Sequence, residues 1–406
     1  MGTPQTPYDA VLHAARDVAK LDNALDAEML GAALLGSVYS VAETERDAAV
    51  RDFVAGFLAA TSRRRSAAAT TIRSVFAALV PDAEGAGRVR PGAATPAWAA
   101  QLGRVHLTGC WSYGDVYGDQ SSYLATFAYD DPAGGSAHAV VTLLDHNIGI
   151  TKDVFVGGPP DRILDQVRQM CSGDELTWFR DEEPARMRAE VTRHLAITDG
   201  LTELPGEGSL ATDRALLGAR LALLPRAAGA ASAPAEPLSA AERTDLVRRF
   251  LASPEAARFG LDAIDGAELA SLHFCLSLLL DHAASFPDAD PMRWSPTVAG
   301  LFLLDWVHRR AVLDMDDAAL LPRVLRAWAG YAARKRGLPE QAATQTDTAI
   351  EEMVPEFARL YSTGERRSPA TAAVAQLMAD GVDPDDPAAL NAWIEANRHR
   401  LTDDPA

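Results

Sequence analysis

The chain has 406 residues, of which 48% are apolar and 23% are charged, and its formal net charge is −18. This length allows two or three domains with their own cores, and the apolar content is that of a folded globular protein. The charge argues against a nucleic-acid-binding protein, because neutralising phosphates requires a basic surface.

The cysteines and the apolar runs indicate the cellular compartment in which the protein is expected. Cys110, Cys171 and Cys275 are far apart and odd in number, so they fit neither zinc-ligand spacing nor a complete disulfide framework. We therefore expect reduced thiols. The N-terminus lacks the basic start and apolar run of a signal peptide. The longest apolar runs, near residues 276–280 and 301–304, are far shorter than the roughly 20 residues of a membrane span, so a soluble cytoplasmic protein is expected.

The N-terminal part of the chain, residues 1–100, is predicted to be a helical segment that packs on a later sheet. Within residues 43–61 the apolar side chains recur at helical spacing and form one stripe. That stripe comprises Val50, Phe53, Val54, Phe57 and Leu58. Glycines and prolines in residues 81–96 then predict a loop before the sheet begins.

Residues 105–156 form the only long stretch that is dense in strand-forming residues. Its aromatic and β-branched residues fall into two runs, 123–129 and 140–144, separated by turn residues at 130–136. This arrangement predicts two antiparallel strands joined by a loose hairpin loop. Helical patterns follow, so residues 101–225 are expected to form an α+β central domain.

Residues 226–237 are predicted to be a linker, because prolines and small residues dominate them and no large apolar residue occurs. Residues 238–364 then predict a helical bundle, in which 267–282 and 296–310 are apolar around most of their circumference. A tail of short helices and acidic residues, 365–406, follows. The predicted fold is α+β and mostly α: a small antiparallel β-sheet flanked by helices, followed by an all-helical domain.

Polar residues gather at the ends of the predicted strands. Asp145, His146, Lys152 and Asp153 follow the second strand and are the candidate catalytic residues. Carboxylates and an imidazole could bind a divalent metal, and a lysine could stabilise a developing oxyanion. The same residue types are also ordinary turn residues, whose side chains hydrogen-bond their own backbone, and their spacing matches no metal-binding motif. Three further residues extend this polar set, which we call the polar rim: Asp115, Asp119 and His138.

A loop rich in aromatic residues and glycine precedes the first strand run. Its candidate ligand-binding residues are Trp111, Tyr113, Tyr117 and Asp119, since aromatic rings can stack on a ligand that glycines let approach the backbone. The alternative is an irregular loop whose rings cover the sheet, which is the commoner use of aromatic side chains. The glycine spacing is not that of a phosphate-binding loop, and the chain has no GxSxG motif.

These patterns favour a soluble, non-catalytic binding or regulatory protein whose partner is another protein. The alternative is a hydrolase that uses the Asp145, His146, Lys152 and Asp153 cluster, with a metal ion as an option. An enzyme requires those groups to converge around a concave pocket, whereas a binding protein does not. The sequence indicates no particular cofactor, substrate or oligomeric state, and no nucleic-acid or membrane partner is expected.

Four segments are similar to a family of uncharacterised actinobacterial proteins of unknown function: YGDQSSYLATFAY, HAVVTLLDHNIGITKDVF, RWSPTVAGLFLLDWVHRR and GVDPDDPAALNAWIEANR. The resemblance covers most of the chain from about residue 100 onward. It implies no activity, ligand or catalytic residue, and it agrees with a cytoplasmic location.

Overall fold

The chain folds into two compact units in the computed structural model. The structure describes residues 6–92, 94–205, 209–226, 236–382 and 386–402. The first unit comprises residues 1–115 and 120–233, and the second comprises residues 116–119 and 234–406. Most of the predicted linker, residues 227–235, lies outside the described residues.

The first unit is built on a five-stranded antiparallel sheet with the strand order β4-β3-β2-β1-β5. The strands are β1 (Val105–Asp115), β2 (Gln120–Tyr129), β3 (His138–Asp145), β4 (Ile150–Gly157) and β5 (Thr177–Asp181). The predicted hairpin is confirmed, because β2 and β3 pair in antiparallel register with Leu124 opposite Val141. Three further strands widen this hairpin into the sheet that carries the unit.

The helices of the first unit surround this sheet. They are α1 (Pro7–Ala14), α2 (Ala24–Val41), α3 (Arg46–Ala60), α4 (Ala67–Leu79), α5 (Pro160–Ser172), α6 (Pro184–Asp199) and α7 (Leu210–Leu221). The stripe predicted within residues 43–61 lies in α3 and is mostly buried, although Phe53 is only partly covered.

The two faces of the sheet are covered differently. Since side chains alternate along a strand, Phe127 and Val140 reach the main core that the helices α2, α4, α6 and α7 share. On the opposite face, Val167 and Cys171 of α5 pack against Leu124. The sheet is therefore buried on both sides for part of its width.

The helix α2 has the length and the apolar composition of a membrane span, and among the described residues it is the single helix that does. Nine of its residues are buried inside the first unit. One of them is Glu28, a carboxylate that is 1% exposed. A core helix passes the same test of length and composition, and the burial of α2 makes it the central helix of this unit.

A buried ion pair links α2, α7 and the sheet. The Glu28 carboxylate and the Arg220 guanidinium are each 1% exposed and pair directly. The Tyr129 hydroxyl on β2 donates to Glu28 Oε2 (2.7 Å), and the Gly103 backbone N–H donates to Oε1 (2.7 Å). Arg220 Nε donates to Nε2 of His138 on β3 (3.0 Å). Burial and the Arg220 charge lower the pKa of His138 to about 4, so its ring is neutral and can accept this bond.

The second unit is all-helical over its described residues. Its helices are α8 (Ala240–Leu251), α9 (Pro254–Arg258), α10 (Gly266–Ala284), α11 (Pro296–Leu301), α12 (Val307–Arg310), α13 (Met315–Arg336), α14 (Glu340–Thr363), α15 (Pro369–Ala379) and α16 (Pro387–Thr402). A π-helical turn, Phe302–Trp306, joins α11 to α12. The α+β, mostly helical fold predicted from the sequence is confirmed.

The core of the second unit contains an imidazole. His282 of α10 is 3% exposed, and its ring lies 4.9–5.8 Å, between centroids, from four aromatic rings: Phe286, Trp294, Phe302 and Trp306. Burial lowers the pKa of His282 to about 4, and the positive charge of Arg293 acts in the same direction. The folded unit therefore holds this ring in its neutral form at neutral pH.

The ion pair generates a first prediction. Replacing Glu28 by Gln leaves the Arg220 guanidinium buried without its counter-charge, which typically costs about 3–5 kcal/mol. We expect much faster amide exchange in β2, β3 and α7, measured by hydrogen–deuterium exchange mass spectrometry, and unchanged exchange in α13.

The double variant Glu28→Gln/Arg220→Met removes the unpaired buried charge of Arg220 as well. It should therefore recover most of the lost stability. Asp245→Asn, which removes a carboxylate from an exposed ion pair with Arg248, serves as the control. Exchange in Glu28→Gln as slow as in the wild type would show that the first unit does not depend on this pair.

A second prediction concerns acid sensitivity. Because the folded pKa of His282 lies below its unfolded value of 6.5, the unfolded state binds the extra proton between these two pH values, and stability falls as the pH drops from 6.5 towards 4. His282→Phe removes this proton uptake. We expect the variant to lose about 2 kcal/mol less than the wild type between pH 7 and pH 5. Denaturant titrations of the full chain at both pH values measure this difference, with unfolding of the second unit monitored by amide exchange in α10 and α13. Equal losses of stability in the variant and the wild type would contradict a buried neutral ring.

Candidate functional site

The predicted polar rim is only partly assembled at the end of β3. Asp145 Oδ2 lies 3.9 Å from Lys152 Nζ, and the Lys152 side chain is 48% exposed. The other Asp145 oxygen accepts a hydrogen bond from the backbone N–H of Asn147 (3.0 Å). This is the side-chain-to-backbone bond of an ordinary turn aspartate. Gln120 Nε2 lies 3.4 Å from Asp145 Oδ2. The aspartate therefore closes the β3–β4 turn and holds Lys152 loosely, as exposed pairs do.

His146 meets a serine that the sequence reading did not single out. Ser121 Oγ and His146 Nε2 are 2.7 Å apart, and the His146 ring lies edge-on to His194 of α6 at 5.1 Å between centroids. His194 Nδ1 lies 2.8 Å from the backbone carbonyl oxygen of Glu190. Burial lowers the pKa of His194. The result is a small polar cluster in which side chains bond to one another.

A serine bonded to an imidazole is also the starting arrangement of nucleophilic catalysis. Ser121, however, is only 6% exposed and lies within β2 rather than on a loop. The cavity described below is lined by neither Ser121 nor His146. The Ser121–His146 pair therefore lies outside that cavity.

Asp153 lies apart from these residues and has a structural partner. Its Oδ1 accepts the hydroxyl of Ser209 (2.9 Å) and the backbone N–H of Val154 (2.8 Å). Ser209 directly precedes α7, so the contact fixes the start of that helix on β4. Burial, together with the charge of Asp153, raises the pKa of Asp213 to about 6. Of the four candidate catalytic residues, Asp153 therefore lies apart, whereas Asp145 lies near Lys152 and both Asp145 and His146 lie near His194.

The predicted aromatic loop is divided between the units. Trp111 and Tyr113 belong to β1 and pack around Leu124, Val167 and Cys171. This matches the alternative in which rings cover the sheet. In the second unit the Tyr117 hydroxyl donates to Gln345 Oε1 (2.7 Å), and Asp119 Oδ1 lies 3.7 Å from Arg293 Nη1. Two of the four candidate ligand-binding residues therefore belong to each unit.

The remaining polar candidates also have internal roles. Asp115 Oδ2 accepts the Gln120 backbone N–H (2.7 Å). His138, at the opposite end of β3 from Asp145, is 1% exposed in the network around Arg220, so its placement with the polar rim was wrong. Across the described residues, no group of three or more His, Cys, Asp or Glu side chains is arranged to hold a metal ion.

A concave site lies elsewhere in the first unit, between α2, α3, α6, α7 and the end of α4. The cavity has a volume of about 570 Å³, within the range of about 300–1,000 Å³ typical of small-molecule sites. It is more enclosed than the grooves of 520–740 Å³ on the second unit. Its apolar wall includes Leu35, Leu79, Leu195, Ala215 and Ala219.

One side of the cavity is a fixed hydrogen-bond network. Tyr39 Oη donates to Asp199 Oδ1 (2.5 Å), and Arg214 Nη2 bonds the other oxygen of the same carboxylate (2.9 Å). Arg214 Nη2 also lies 3.3 Å from Asp47, which pairs with Arg51. Burial and the Asp199 carboxylate raise the pKa of Tyr39. These five side chains are held in place before any ligand binds.

The other side carries arginines without carboxylate partners. Arg188 Nη1 donates to the backbone carbonyls of Ala222 (3.2 Å) and Leu224, and Arg188 forms no ion pair with any described residue. Arg226 lines the same cavity, and within the described parts of the chain it has no ion pair either. Burial lowers the pKa of Arg188, and the neighbouring Arg226 charge lowers it further.

Sequence reasoning missed this cavity, although its residues recur at helical spacing. On α6 the lining residues are Arg188, Thr192, Leu195, Ala196 and Asp199. On α7 they are Ala211, Arg214, Ala215, Gly218, Ala219 and Leu221, and Ala222 follows directly after the helix. The α7 set is mostly small, and small side chains on a packed helix leave space. The stripe of small residues was the available signal.

Comparison of the chain with known proteins gives no family: no protein-family model, no curated protein and no solved structure matches it. Function is therefore inferred from the geometry of the sites.

A prediction follows for the Ser121–His146 pair. Because Ser121 is only 6% exposed and lies in a strand, its hydroxyl should not react with a bulky fluorophosphonate probe. We expect intact-protein mass spectrometry to show no adduct under conditions that fully label a known serine hydrolase. An adduct on the wild type that disappears in Ser121→Ala would make this pair the active site.

Proposed function

We propose that this protein is a non-catalytic small-molecule-binding protein, and that the cavity between α2, α3, α6 and α7 is its binding site. The observation that carries the proposal is the cavity itself, about 570 Å³, which is lined by residues of five helices of one unit and is open to solvent on one side. An apolar wall with a few placed polar groups is the usual composition of a ligand site.

The network beside the cavity supports binding by pre-organisation. Tyr39 is 1% exposed, and the Arg214 side chain is 14% exposed, so both are held by packing as well as by Asp199. Side chains that are already ordered lose little conformational entropy when a ligand arrives. A site of this kind can bind without the closure of a loop.

The alternative function, a hydrolase, is less well supported. It would use the Ser121–His146 contact, which has the right atoms at 2.7 Å. Asp145 and Asp153 are engaged in the turn and at the start of α7, and the Lys152 side chain is 48% exposed. The buried thiols do not supply a nucleophile either, because burial raises the pKa of Cys110 and of Cys275 to about 12.

The binding function and the thiols together suggest a location. Cys110, Cys171 and Cys275 are all buried and free. Free thiols suit a reducing compartment, so we propose a cytoplasmic protein that senses or carries a small molecule. A protein partner could then read the occupancy of the cavity, which retains the regulatory role favoured by the sequence. Neither nucleic acid nor membrane is part of the proposal, in keeping with the net charge of −18.

The test uses a neutral fluorescent probe, N-phenyl-1-naphthylamine, whose emission rises in an apolar site. We expect saturable binding at one probe per chain. Ala215→Leu/Ala219→Leu fills the cavity from α7 and should abolish this binding, because the space that holds the probe is lost.

The matched control is Thr212→Leu, which adds an apolar side chain at an exposed position of the same helix that does not line the cavity. Circular dichroism and thermal midpoints must show that all variants are folded. Binding that persists unchanged in the filled variant, or no saturable binding in the wild type, would contradict the proposed site.

A further inference from the structure

We infer that the ligand of this cavity is an oxyanion on an apolar body, with the anionic group held by Arg188 and Arg226 and the body lying against the α6–α7 wall. This inference rests on the proposed function and adds the chemical class of the ligand. A carboxylate and a phosphate share the chemistry in question, since both present oxygens that a guanidinium can bind in pairs.

The charges around the cavity point to an anion. Four arginines line it against three aspartates: Arg51, Arg188, Arg214 and Arg226 against Asp47, Asp82 and Asp199. A local excess of positive charge stands out in a chain whose net charge is −18. The charge balance at this site is therefore opposite in sign to that of the whole chain, which favours an anionic ligand.

The ion pairs around the cavity show which arginines carry the excess positive charge. Arg214 is neutralised by Asp199 (2.9 Å) and Asp47 (3.3 Å). Arg51 pairs with Asp47 and lies 3.9 Å from Asp82. Each of the three aspartates thus lies within ion-pair distance of Arg51 or Arg214. The two arginines that lack a carboxylate partner among the described residues lie elsewhere, Arg188 in the first half of α6 and Arg226 after the end of α7.

The geometry of Arg188 leaves donors for a ligand. A guanidinium has five N–H donors, and Arg188 uses only Nη1, for the carbonyls of Ala222 and Leu224. Those two bonds fix the side chain at the end of α7 beside Arg226. Two neighbouring cations repel each other, as the lowered pKa of Arg188 reflects, and an anion between them would relieve that repulsion.

The apolar wall of the cavity indicates the size and polarity of the part of the ligand that carries the anionic group. From Arg188 the α6 stripe continues through Thr192 to Leu195, and the facing α7 residues Ala215 and Ala219 are small. A compact aromatic or short aliphatic group fits this wall and removes its apolar surface from water, whereas a wholly polar anion would leave that surface exposed to water. The polar Tyr39–Asp199 network at the far end could accept a hydrogen-bond donor on the ligand.

The experiment compares two probes that differ by one anionic group. N-phenyl-1-naphthylamine is neutral, and 1-anilinonaphthalene-8-sulfonate carries a sulfonate on the same ring system. We expect the sulfonate probe to bind the wild type about tenfold more tightly, the effect of one charge-assisted interaction worth about 1.4 kcal/mol. This advantage should shrink as salt is raised.

Two variants and a matched control test whether Arg188 and Arg226 cause the tighter binding of the sulfonate probe. Arg188→Gln and Arg226→Gln should each remove most of the sulfonate advantage while leaving binding of the neutral probe unchanged. Arg186→Gln removes the same charge from the same helix outside the cavity and should leave the advantage intact. Arg226→Gln keeps the test decisive if Arg188→Gln fails to fold, because Arg226 donates to no described residue.

The outcomes separate the two proposals. If the neutral probe binds and the sulfonate probe has no advantage, or if the advantage survives both arginine substitutions, the inferred ligand class is wrong and the binding function stands. If the neutral probe does not bind the wild type, the binding function itself fails. Displacement of the bound sulfonate probe by octanoate, by octyl phosphate and by octanol then identifies the head group: the inference requires one of the two anions to displace it at least tenfold better than octanol, and equal displacement by octanol would overturn it.

Discussion

The buried pair of Glu28 and Arg220 is the constraint on which the first unit depends. It brings α2 and α7 together, and through Tyr129 and His138 it ties both helices to β2 and β3. Two charges at 1% exposure are costly to bury unless each is fully paired, so any arrangement of these elements that separates them is strongly disfavoured. The pair therefore selects one packing of helices on sheet, in addition to whatever it contributes to stability.

This constraint has a consequence on the other side of α7. Arg220 directs one face of the helix to the sheet, while Arg214, Ala215 and Gly218 lie on the face that lines the cavity. Since α7 is held from the core side, its small residues need not fill the space beside α6. Asp153, through Ser209, fixes the start of the same helix. The cavity is thus a product of a helix anchored at its start and on its inner face.

Polar groups in the first unit serve two distinct purposes. Those at the end of β3, such as Asp145 and Ser121, find partners in their own turn or on neighbouring strands. Those around the cavity are arranged as paired arginines on one side and arginines without carboxylate partners among the described residues on the other. The proposed binding site rests on the second arrangement.

The sequence alone determined the class of fold, because local signals specify local structure. Strand formers at 123–129 and 140–144 around a run of turn residues predicted β2 and β3, and the apolar stripe within 43–61 predicted α3. Tertiary structure decided which polar residues meet. Nothing in the order of residues places Glu28 against Arg220, 192 positions away, or Ser121 against His146. The small residues of α7 were a signal for the cavity but did not determine it, since side-chain periodicity shows which face of a helix is apolar and not whether its neighbour fills the space beside it.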